Sequence, residues 1–470
     1  MDAEQFIQAA DEIWDNPETG LEEYNTQDIH CKLLEEYGFE VERGISQLET
    51  SYLATWGSGG PVIAFLSEMD ALEGLSQKAD ISEKEADPNM TAGHACGHHL
   101  LGAGVVMAAV QYKEYLEQHS LKGTIKVFGC PCEETGSGKG YIARDGYFDD
   151  CDVALTWHPS IINIVSTGST LACIQLTFKF TGVSSHAAVA PHLGRSALDA
   201  VELTNVGCNY LREHMTMTDR IHYAVLNTGG ENPGIVQQDA EVRYLVRSHN
   251  NLDCLDLMTR VIDCARGAAL MTGCKMRFQI EDAACNMVSN ETLEDAIRDV
   301  FKDTELPTYS KEEIDYLYQY YNKDAAKALV NMLPPFIKDR AAVKENIKSM
   351  PINTTYIESS VSNFVGPAST DVGDVSWNVP TGIINTACFA YGTQGHSWQW
   401  VAQGKSSPAH KGMLLAAEIM FKTAVKLNRE NKLIIKIKEE FATKMKDQEY
   451  KTALPKIVPV KQIKGRKKEQ

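Results

Sequence analysis

Short apolar segments alternate with a helical segment in the first third of the chain, and this alternation restricts the possible folds more than any other feature. Residues 62–66, 124–129 and 153–157 have the length and apolar composition of buried strands, whereas residues 100–116 have apolar positions at helical spacing. Strands that are apolar on both faces occur where helices cover both sides of a parallel sheet. The pattern therefore predicts an α/β domain built on a mostly parallel sheet.

The middle of the chain follows a different pattern. Between residues 169 and 284, strands and helices are predicted in the order βαββαβ, which forms a compact module by itself. A length of 470 residues also exceeds what one hydrophobic core usually holds. We therefore expect a discontinuous domain of residues 1–168 and 285–470, with a domain of residues 169–284 inserted into it. Residues 304–351 are charged and helical in pattern, which indicates a peripheral insertion, with a lid or an interface as the alternative.

Composition and charge exclude several classes of partner. The net charge of −18 argues against a nucleic-acid role, because phosphate binding requires a basic face. The sequence has no apolar run long enough for a membrane span and no signal-peptide pattern at its start, so neither a membrane association nor export is expected. Twelve cysteines in this length do not indicate a disulfide scaffold, which suits the cytoplasm. The basic segment from Lys444 to Gln470 is predicted to be a solvated terminus, with a docking segment as the alternative.

Polar side chains collect where the predicted strands end. The three apolar strands run into Glu68 and Asp70, into Glu133 and Glu134, and into His158. In an open parallel sheet, ligands bind outside the carboxyl ends of the strands. We therefore expect these groups to converge on one edge of the sheet and to form a catalytic site there.

A cysteine and a histidine lie two residues apart immediately before the helix predicted at residues 100–116. Cys96 and His98 can approach one metal ion if the backbone between them is irregular, and Gly97 permits such a backbone. A thiolate and an imidazole are zinc-type ligands, and carboxylates widen the choice to manganese. By itself this pattern is weak, but five candidate ligands suit two metal ions that share a bridge. The five are Cys96, His98, Glu134, His158 and one late histidine, either His396 or His410.

Taken together, these motifs resemble the amidohydrolase branch of the metallopeptidase family that includes carboxypeptidases, aminoacylases, plant auxin-conjugate hydrolases and bacterial hippurate hydrolases. The segment His94-Ala-Cys-Gly-His98 resembles the signature of that branch. The resemblance implies a catalytic domain with zinc-peptidase-like topology and an inserted, ferredoxin-like dimerisation domain. It implies the following roles: Cys96 as the metal-bridging thiolate, His98, Glu134, His158 and His396 as further ligands, and Glu133 as the catalytic base.

In the inserted domain the same resemblance implies residues that act on the substrate. His186 would be lent to the site of the partner subunit, where it stabilises the developing oxyanion. Asn232 and Arg247 would contact the substrate carboxylate, which a planar guanidinium binds in a bidentate manner. A homodimer is therefore expected, with a homologous partner subunit as the alternative.

Long runs within the branch indicate the substrate. Residues 369–377, 396–400 and 403–413 resemble the aminobenzoyl-glutamate hydrolases of this family. The predicted reaction is hydrolysis of the amide bond in p-aminobenzoyl-glutamate or a related aroyl-amino acid, with two divalent metal ions per subunit, manganese being favoured over zinc. An aminoacylase or dipeptidase acting on other N-acyl amino acids or dipeptides is one alternative, and a non-catalytic dimeric ligand-binding scaffold is another. His99 stands where much of the branch has aspartate and Trp398 where many members have proline, and these departures concern the substrate more than the chemistry.

Overall fold

The chain forms two compact units. The first comprises the residues up to Thr170 together with Met287–Tyr450. The second comprises Leu171–Asn286 and the described part of the segment that begins at Lys451. The structure is a computed structural model and describes the residues 2–333, 336–360, 363–456 and 458.

The N-terminal part of the first unit alternates helices and strands. Asp2 caps the first helix by accepting a hydrogen bond from the backbone N–H of Glu4, and its apolar positions, among them Phe6, Ala10 and Ile13, are buried. The elements are α1 (Ala3–Asp15), α2 (Tyr24–Glu36), β1 (Glu40–Arg43), β2 (Tyr52–Ser58), β3 (Val62–Glu68), β4 (Leu72–Glu73), β5 (Ala92–Gly93), α3 (His98–Gln118), β6 (Gly123–Cys130), α4 (Glu133–Gly136), α5 (Gly138–Arg144), β7 (Val153–Ser160) and β8 (Ile164–Val165).

The second unit consists of a four-stranded antiparallel sheet and two helices. Its elements are β9 (Ala172–Thr181), α6 (Ala197–Leu211), β10 (Arg220–Asn227), β11 (Asp239–Ser248), α7 (Asn251–Thr272) and β12 (Lys275–Ala284). The strands lie in the order β10-β11-β9-β12, and α6 and α7 pack against one another and against the central strands. Residues on β11 alternate between buried and more exposed positions, as in a sheet that is covered on one face.

The chain then returns to the first unit. Residues 304–351 are largely helical, as their pattern predicts, whereas Pro334 and Pro335 and the positions 457 and 459–470 of the basic tail lie outside the described residues. No described helix combines the length and the apolarity needed to cross a membrane. The elements are α8 (Glu291–Lys302), α9 (Lys311–Tyr318), α10 (Lys323–Met332), α11 (Arg340–Ser349), α12 (Val372–Ser376), β13 (Thr381–Ala387), α13 (Trp398–Gln403), α14 (Ser407–Arg429) and α15 (Asn431–Met445).

The large sheet of the first unit is mixed. Its strands lie in the order β1-β2-β6-β3-β7-β13-β8, and only the central pairs, β6 with β3, β3 with β7 and β7 with β13, are parallel. The outer pairs are antiparallel, so the expectation of a mostly parallel sheet is wrong there. The physical reason is plainest for β1 and β2, because a parallel crossover needs a dozen or more residues and their connection is shorter.

The register of the central strands brings their polar ends together. Glu68 at the end of β3 lies opposite Cys130 at the end of β6, and His158 on β7 lies opposite Asn385 on β13. The helix α3 packs on β3, β6 and β7 and also against α14, so the strands are held from one side by a buried helix pair. The polar groups that follow these strands therefore share one edge of the sheet.

Candidate metal centre

Two groups of potential metal ligands meet at this edge of the sheet and share one sulfur atom. The ligand atoms within each group lie within 4.8 Å of one another. One group contains Cys96, His98 and His158, and the other contains Cys96, Glu134 and His396. The structure thus brings together all five residues that the sequence nominates as ligands, with Cys96 between the two groups.

Local backbone geometry places Cys96 and His98. Gly97 has a φ of 81° and directly precedes α3, so the chain turns sharply between the two ligands. A Cβ atom at this position would lie 2.9 Å from the ring of Pro159, which makes glycine the residue that fits. The backbone N–H of His396 donates to the carbonyl of Ala95 at 2.9 Å, which fixes the late histidine beside the same turn.

Several non-glycine residues at the site have a left-handed backbone. The φ angles are 58° at Cys132, 49° at Ser137 and 55° at His396. Cys132 and Ser137 flank the short helix α4, which begins with Glu133 and Glu134. Residues held in this region are strained and persist only where surrounding contacts impose the conformation, which is a common property of functional sites.

The ligand atoms themselves show that metal ions fit this arrangement. His98 Nε2 and Glu134 Oε1 are buried, and neither has a hydrogen-bond partner among the described residues. His98 directs its other ring nitrogen, Nδ1, to the backbone oxygen of Asp70 at 2.9 Å and to Asp70 Oδ1 at 3.2 Å. Nε2 of His98 lies 3.1 Å from Glu68 Oε2 without forming a hydrogen bond to it. A histidine that is oriented through one ring nitrogen and presents the other to further donor groups has the usual arrangement of a metal ligand. Thiolate, imidazole and carboxylate donors together suit zinc or manganese.

Asp70 also supports the second group of ligands. Its Oδ2 accepts a hydrogen bond of 3.0 Å from the backbone N–H of Glu134, so one carboxylate orients residues of both groups. Burial raises the pKa of Asp70, but its hydrogen bond and charge interaction with His98 outweigh burial and leave the pKa below the ordinary value. Asp70 is therefore a carboxylate that is held ionised behind the site.

A buried lysine compensates further carboxylates next to the candidate ligands. Lys139 Nζ lies 2.9 Å from Glu68 and forms a very short contact with Asp371, and all three side chains are almost completely buried. Burial lowers the pKa of Lys139, but Asp371 and Glu68 outweigh it and hold the pKa well above the ordinary value. Burial raises the pKa of Asp371 to about 7 in spite of the lysine. The lysine is thus a fixed positive charge in the wall of the site.

Glu133 lies beside this charged group. A carboxylate oxygen of Glu133 lies within 4.8 Å of ligand atoms of Glu68 and His98. Burial raises the pKa of Glu133 well above its ordinary value, and the negative charges of Glu68 and Asp371 raise it further. A carboxyl group with a raised pKa is suited to accept and release a proton near neutral pH. The position and the environment of Glu133 therefore suit a general base.

The neighbouring histidines do not join either ligand group. The rings of His94 and His99 pack at a tilt of 45° with their centroids 5.0 Å apart, and His99 Nε2 hydrogen-bonds to the carbonyl of Gly404 at 3.0 Å. His410 lies on α14 and pairs with Asp11 at 2.9 Å. Of the two late histidines that the sequence offers, the structure places His396 at the site.

The three residues predicted to contact substrate lie in the second unit. His186 is exposed, and its Nδ1 accepts hydrogen bonds from the backbone N–H groups of the two residues at positions 188 and 189. Asn232 is exposed in the turn between β10 and β11, where its side chain accepts from the N–H of Gly234 at 2.8 Å. Arg247 is a partly exposed residue of β11. Their roles stay predictions.

The sequence interpretation missed the buried supporting residues Lys139, Asp371 and Glu23. Glu23 is fully buried and accepts a 2.8 Å hydrogen bond from the backbone N–H of Cys132. A usable signal existed for Lys139, because it directly precedes the apolar residues 140–143 of α5, where a solvated lysine is not expected. Glu23 and Asp371 carry no comparable signal, since they reach the site through long-range packing.

The chain has relatives among known proteins. Residues 64–314 match the model of the peptidase family M20/M25/M40. The chain is 40% identical to one of the subunits of p-aminobenzoyl-glutamate hydrolase of Escherichia coli, over 97% of this chain and 96% of that protein. It is 28% identical to Xaa-Arg dipeptidase of Mus musculus over 93% of this chain and 89% of that protein.

A solved structure shares the fold. It is a dinuclear metal-binding peptidase of the M20 family from Bacillus subtilis, with a TM-score of 0.54 and 17% identity, covering 91% of this chain and 98% of that chain. The family match covers more than half of the chain, and the bacterial relative is similar along nearly its whole length. This chain belongs to the peptidase family M20/M25/M40.

Proposed function

We propose that the protein is a metal-dependent amidohydrolase that binds two divalent metal ions per subunit and hydrolyses the amide bond of an N-acyl amino acid. The observation that carries the proposal is the sharing of Cys96 by two ligand groups, which is the arrangement expected of a bridged pair of ions. His98 and His158 complete one group, and Glu134 and His396 complete the other. The dinuclear relative from Bacillus subtilis supports the number of ions.

The residues of this chain divide the chemistry among them. Bound divalent cations would supply Lewis acidity, which polarises the amide carbonyl and lowers the pKa of water. Glu133 removes a proton from the attacking water and returns it to the nitrogen of the leaving amine. Asp70 fixes the orientation of His98 and Glu134, and Lys139 limits the repulsion among the buried carboxylates.

The second unit supplies the contacts to the rest of the substrate in this proposal. His186 stabilises the developing oxyanion in the site of a partner subunit, and Asn232 and Arg247 bind the substrate carboxylate. The exposed position of His186 and Asn232 supports such a role, because neither side chain is committed to the core of its own unit.

The proposed substrate is p-aminobenzoyl-glutamate or a related aroyl-amino acid. The bacterial relative with 40% identity is named for that substrate, and it matches nearly all of this chain. Hydrolysis of other N-acyl amino acids or dipeptides is the second candidate, because the mouse relative is an Xaa-Arg dipeptidase. The two candidates share the metal centre and differ in the pocket beside it.

The test is turnover by metal-free protein after addition of manganese or zinc. We expect release of p-aminobenzoate from p-aminobenzoyl-glutamate to exceed amino-acid release from acetylated amino acids and dipeptides. Glu133→Gln should abolish turnover and retain metal content, whereas the matched control Glu345→Gln, at a surface position, should behave as wild type. Faster cleavage of dipeptides would favour the second candidate, and no cleavage of any amide would refute the proposed function.

Assembly, metal identity and location complete the proposal. The protein is proposed to form a homodimer through the second unit, with assembly beside a homologous partner subunit as the alternative, because the bacterial relative is named as a subunit. Leu270 is 84% exposed and Met271 is 68% exposed, and the edge strand β10 carries exposed Tyr223 and Val225, which supports an interface on this unit. Manganese is favoured over zinc, and elemental analysis of the purified protein decides between them. The described cysteines form no disulfide bonds, which supports a cytoplasmic location.

A further inference from the structure

A cavity of about 540 Å³ adjoins the candidate metal centre within the first unit. Its lining includes Glu133 and four of the five candidate ligands, Cys96, Glu134, His158 and His396, and extends to Glu294 on α8. The proposed function requires a place for the acyl group beside the metal ions. The residues that line this cavity are therefore positioned to select the acyl group.

Paired residues of β7 and β13 line the cavity and give a length for it along these strands. His158 and Asn385 are paired across β7 and β13 at the metal end, and Thr156 and Ile383 are paired two residues further back. Two strand residues correspond to roughly 7 Å. This is a distance that one benzene ring with a substituent at each end can span.

Two phenylalanine rings form part of the wall. Phe336 and Phe364 line the cavity and contact one another in a T-shaped arrangement with ring centroids 5.5 Å apart. The backbone of each is fixed, since the carbonyl of Phe336 accepts from the N–H of Ser360 and that of Phe364 accepts from the N–H of Ser169. Aromatic rings pack favourably with a further ring at such distances, so the wall suits a flat aryl group better than a flexible chain.

A buried carboxylate, that of Glu294, also lines the cavity. The hydroxyl of Ser166 accepts a 2.6 Å hydrogen bond from the side chain of Asn385, and the backbone N–H of Ser166 donates to the carbonyl of Ile383. The hydroxyl of the next residue, Thr167, donates to Glu294 Oε2 at 2.6 Å. These contacts place Glu294 at the level of Ile383, behind the metal end. Arg298 also donates to Oε2, at 2.7 Å, and Oε1 accepts no hydrogen bond from a described residue. Glu294 can thus accept a hydrogen bond from a group in the cavity.

The charge of the lining decides which half of the substrate enters. Among the described residues, no lysine or arginine lines the cavity, so it offers no cationic side chain to pair with the carboxylates of an amino acid. The acyl half is therefore the half that fits. We propose that this cavity is an aryl-binding subsite in which Phe336 and Phe364 contact the ring and Glu294 Oε1 accepts a hydrogen bond from a donor, such as an amino group, at the far end of the ring. This inference rests on the proposed function and names its selectivity.

The first experiment compares p-aminobenzoyl-glutamate with benzoyl-glutamate, which lacks the donor. We expect the wild-type kcat/KM to favour the amino substrate by about 10- to 100-fold, which is typical for a hydrogen bond to a charged acceptor. Glu294→Gln should reduce this preference to less than about threefold, and the control Glu358→Gln, at a surface ion pair, should retain it. Equal kcat/KM for the two substrates in the wild type would overturn the assignment.

A second variant keeps the inference testable if Glu294→Gln fails to fold, since Arg298 depends on the same carboxylate. Phe336→Leu retains an apolar side chain but removes one ring of the wall. It should lower kcat/KM for benzoyl-glutamate more than for acetyl-glutamate, and an equal effect on both substrates would overturn the aromatic role. Absence of cleavage of all three substrates in the wild type would refute the proposed function itself, which is a different outcome from cleavage without selectivity.

Discussion

Replacement of Lys139 by methionine tests whether the candidate site depends on one buried cation. Lys139 has no solvent exposure, and its Nζ contacts two carboxylates, Glu68 at 2.9 Å and Asp371 at closer range. Methionine retains most of the aliphatic length of the side chain and removes the charge. The variant therefore removes the lysine counter-charge from two buried carboxylates, of which Glu68 keeps its contact with His98 Nε2 at 3.1 Å, and changes the packing little.

The magnitude follows from the distance and the burial. A charge pair at 2.9 Å attracts by about 6 kcal/mol at an effective dielectric constant of about 20. The cost of burying the three charges offsets part of this attraction, and removal of one partner from a buried ion pair typically costs about 3–5 kcal/mol. We expect Lys139→Met to lower the free energy of unfolding of the first unit by that amount.

The assay is urea unfolding of the metal-free protein at neutral pH, followed by tryptophan fluorescence. The matched control is Lys348→Met, because Lys348 pairs with Glu345 on an exposed helix face, where such a pair contributes about 0.5 kcal/mol or less. A loss below about 1 kcal/mol for Lys139→Met would show that the carboxylates are stabilised by other means, and the role of Lys139 as their essential counter-charge would be wrong.

Three further changes test other parts of the site. Cys96→Ala should reduce the bound metal measured by elemental analysis below that of Cys132→Ala, because only Cys96 belongs to both ligand groups; equal metal content would contradict this. Gly97→Ala should also reduce metal binding in equilibrium dialysis, since its φ of 81° and the 2.9 Å approach of Pro159 leave no room for a Cβ; unchanged affinity would contradict the geometry. Burial raises the pKa of Glu23 from 4.5 to about 8 in the folded protein. Between these values the unfolded chain loses this proton and the folded protein keeps it, so the free energy of unfolding falls as pH rises. The difference between the free energies of unfolding in urea at about pH 5 and about pH 8 should therefore be smaller for Glu23→Gln than for the wild type. An equal difference in the two proteins would refute the raised pKa of Glu23.

The sequence predicted the central strands because their signal is local. The segments that became β3, β6 and β7 are apolar on both faces, and burial between helices is the state that such composition favours. The antiparallel pairing of the outer strands could not be read in the same way. Strand direction in a sheet depends on which neighbours meet and how long the connections are, and β2 pairs with β6 across an intervening part of the chain.

The ligands could be nominated from the sequence for a related reason. Cys96 and His98 are close in the chain, Glu134 follows the apolar strand β6, and His158 lies near the end of the apolar strand β7 at the same edge. The supporting residues are different, because Lys139 and Asp371 are 232 positions apart and meet only through the packing of α5 beside α12. Local spacing carries no information about such a contact.

The segment at residues 304–351 illustrates where specificity resides in a shared fold. Its charged, helical pattern predicts a peripheral insertion, yet Phe336, which lies in this segment, lines the cavity beside the metal centre. His158 lies on β7 of the central sheet and Glu134 follows β6, whereas this wall comes from a segment outside that sheet. Changes in such a segment can alter the acyl group that fits and leave the ligand positions in place. The departures at His99 and Trp398 are therefore less informative about the substrate than the residues that line this cavity.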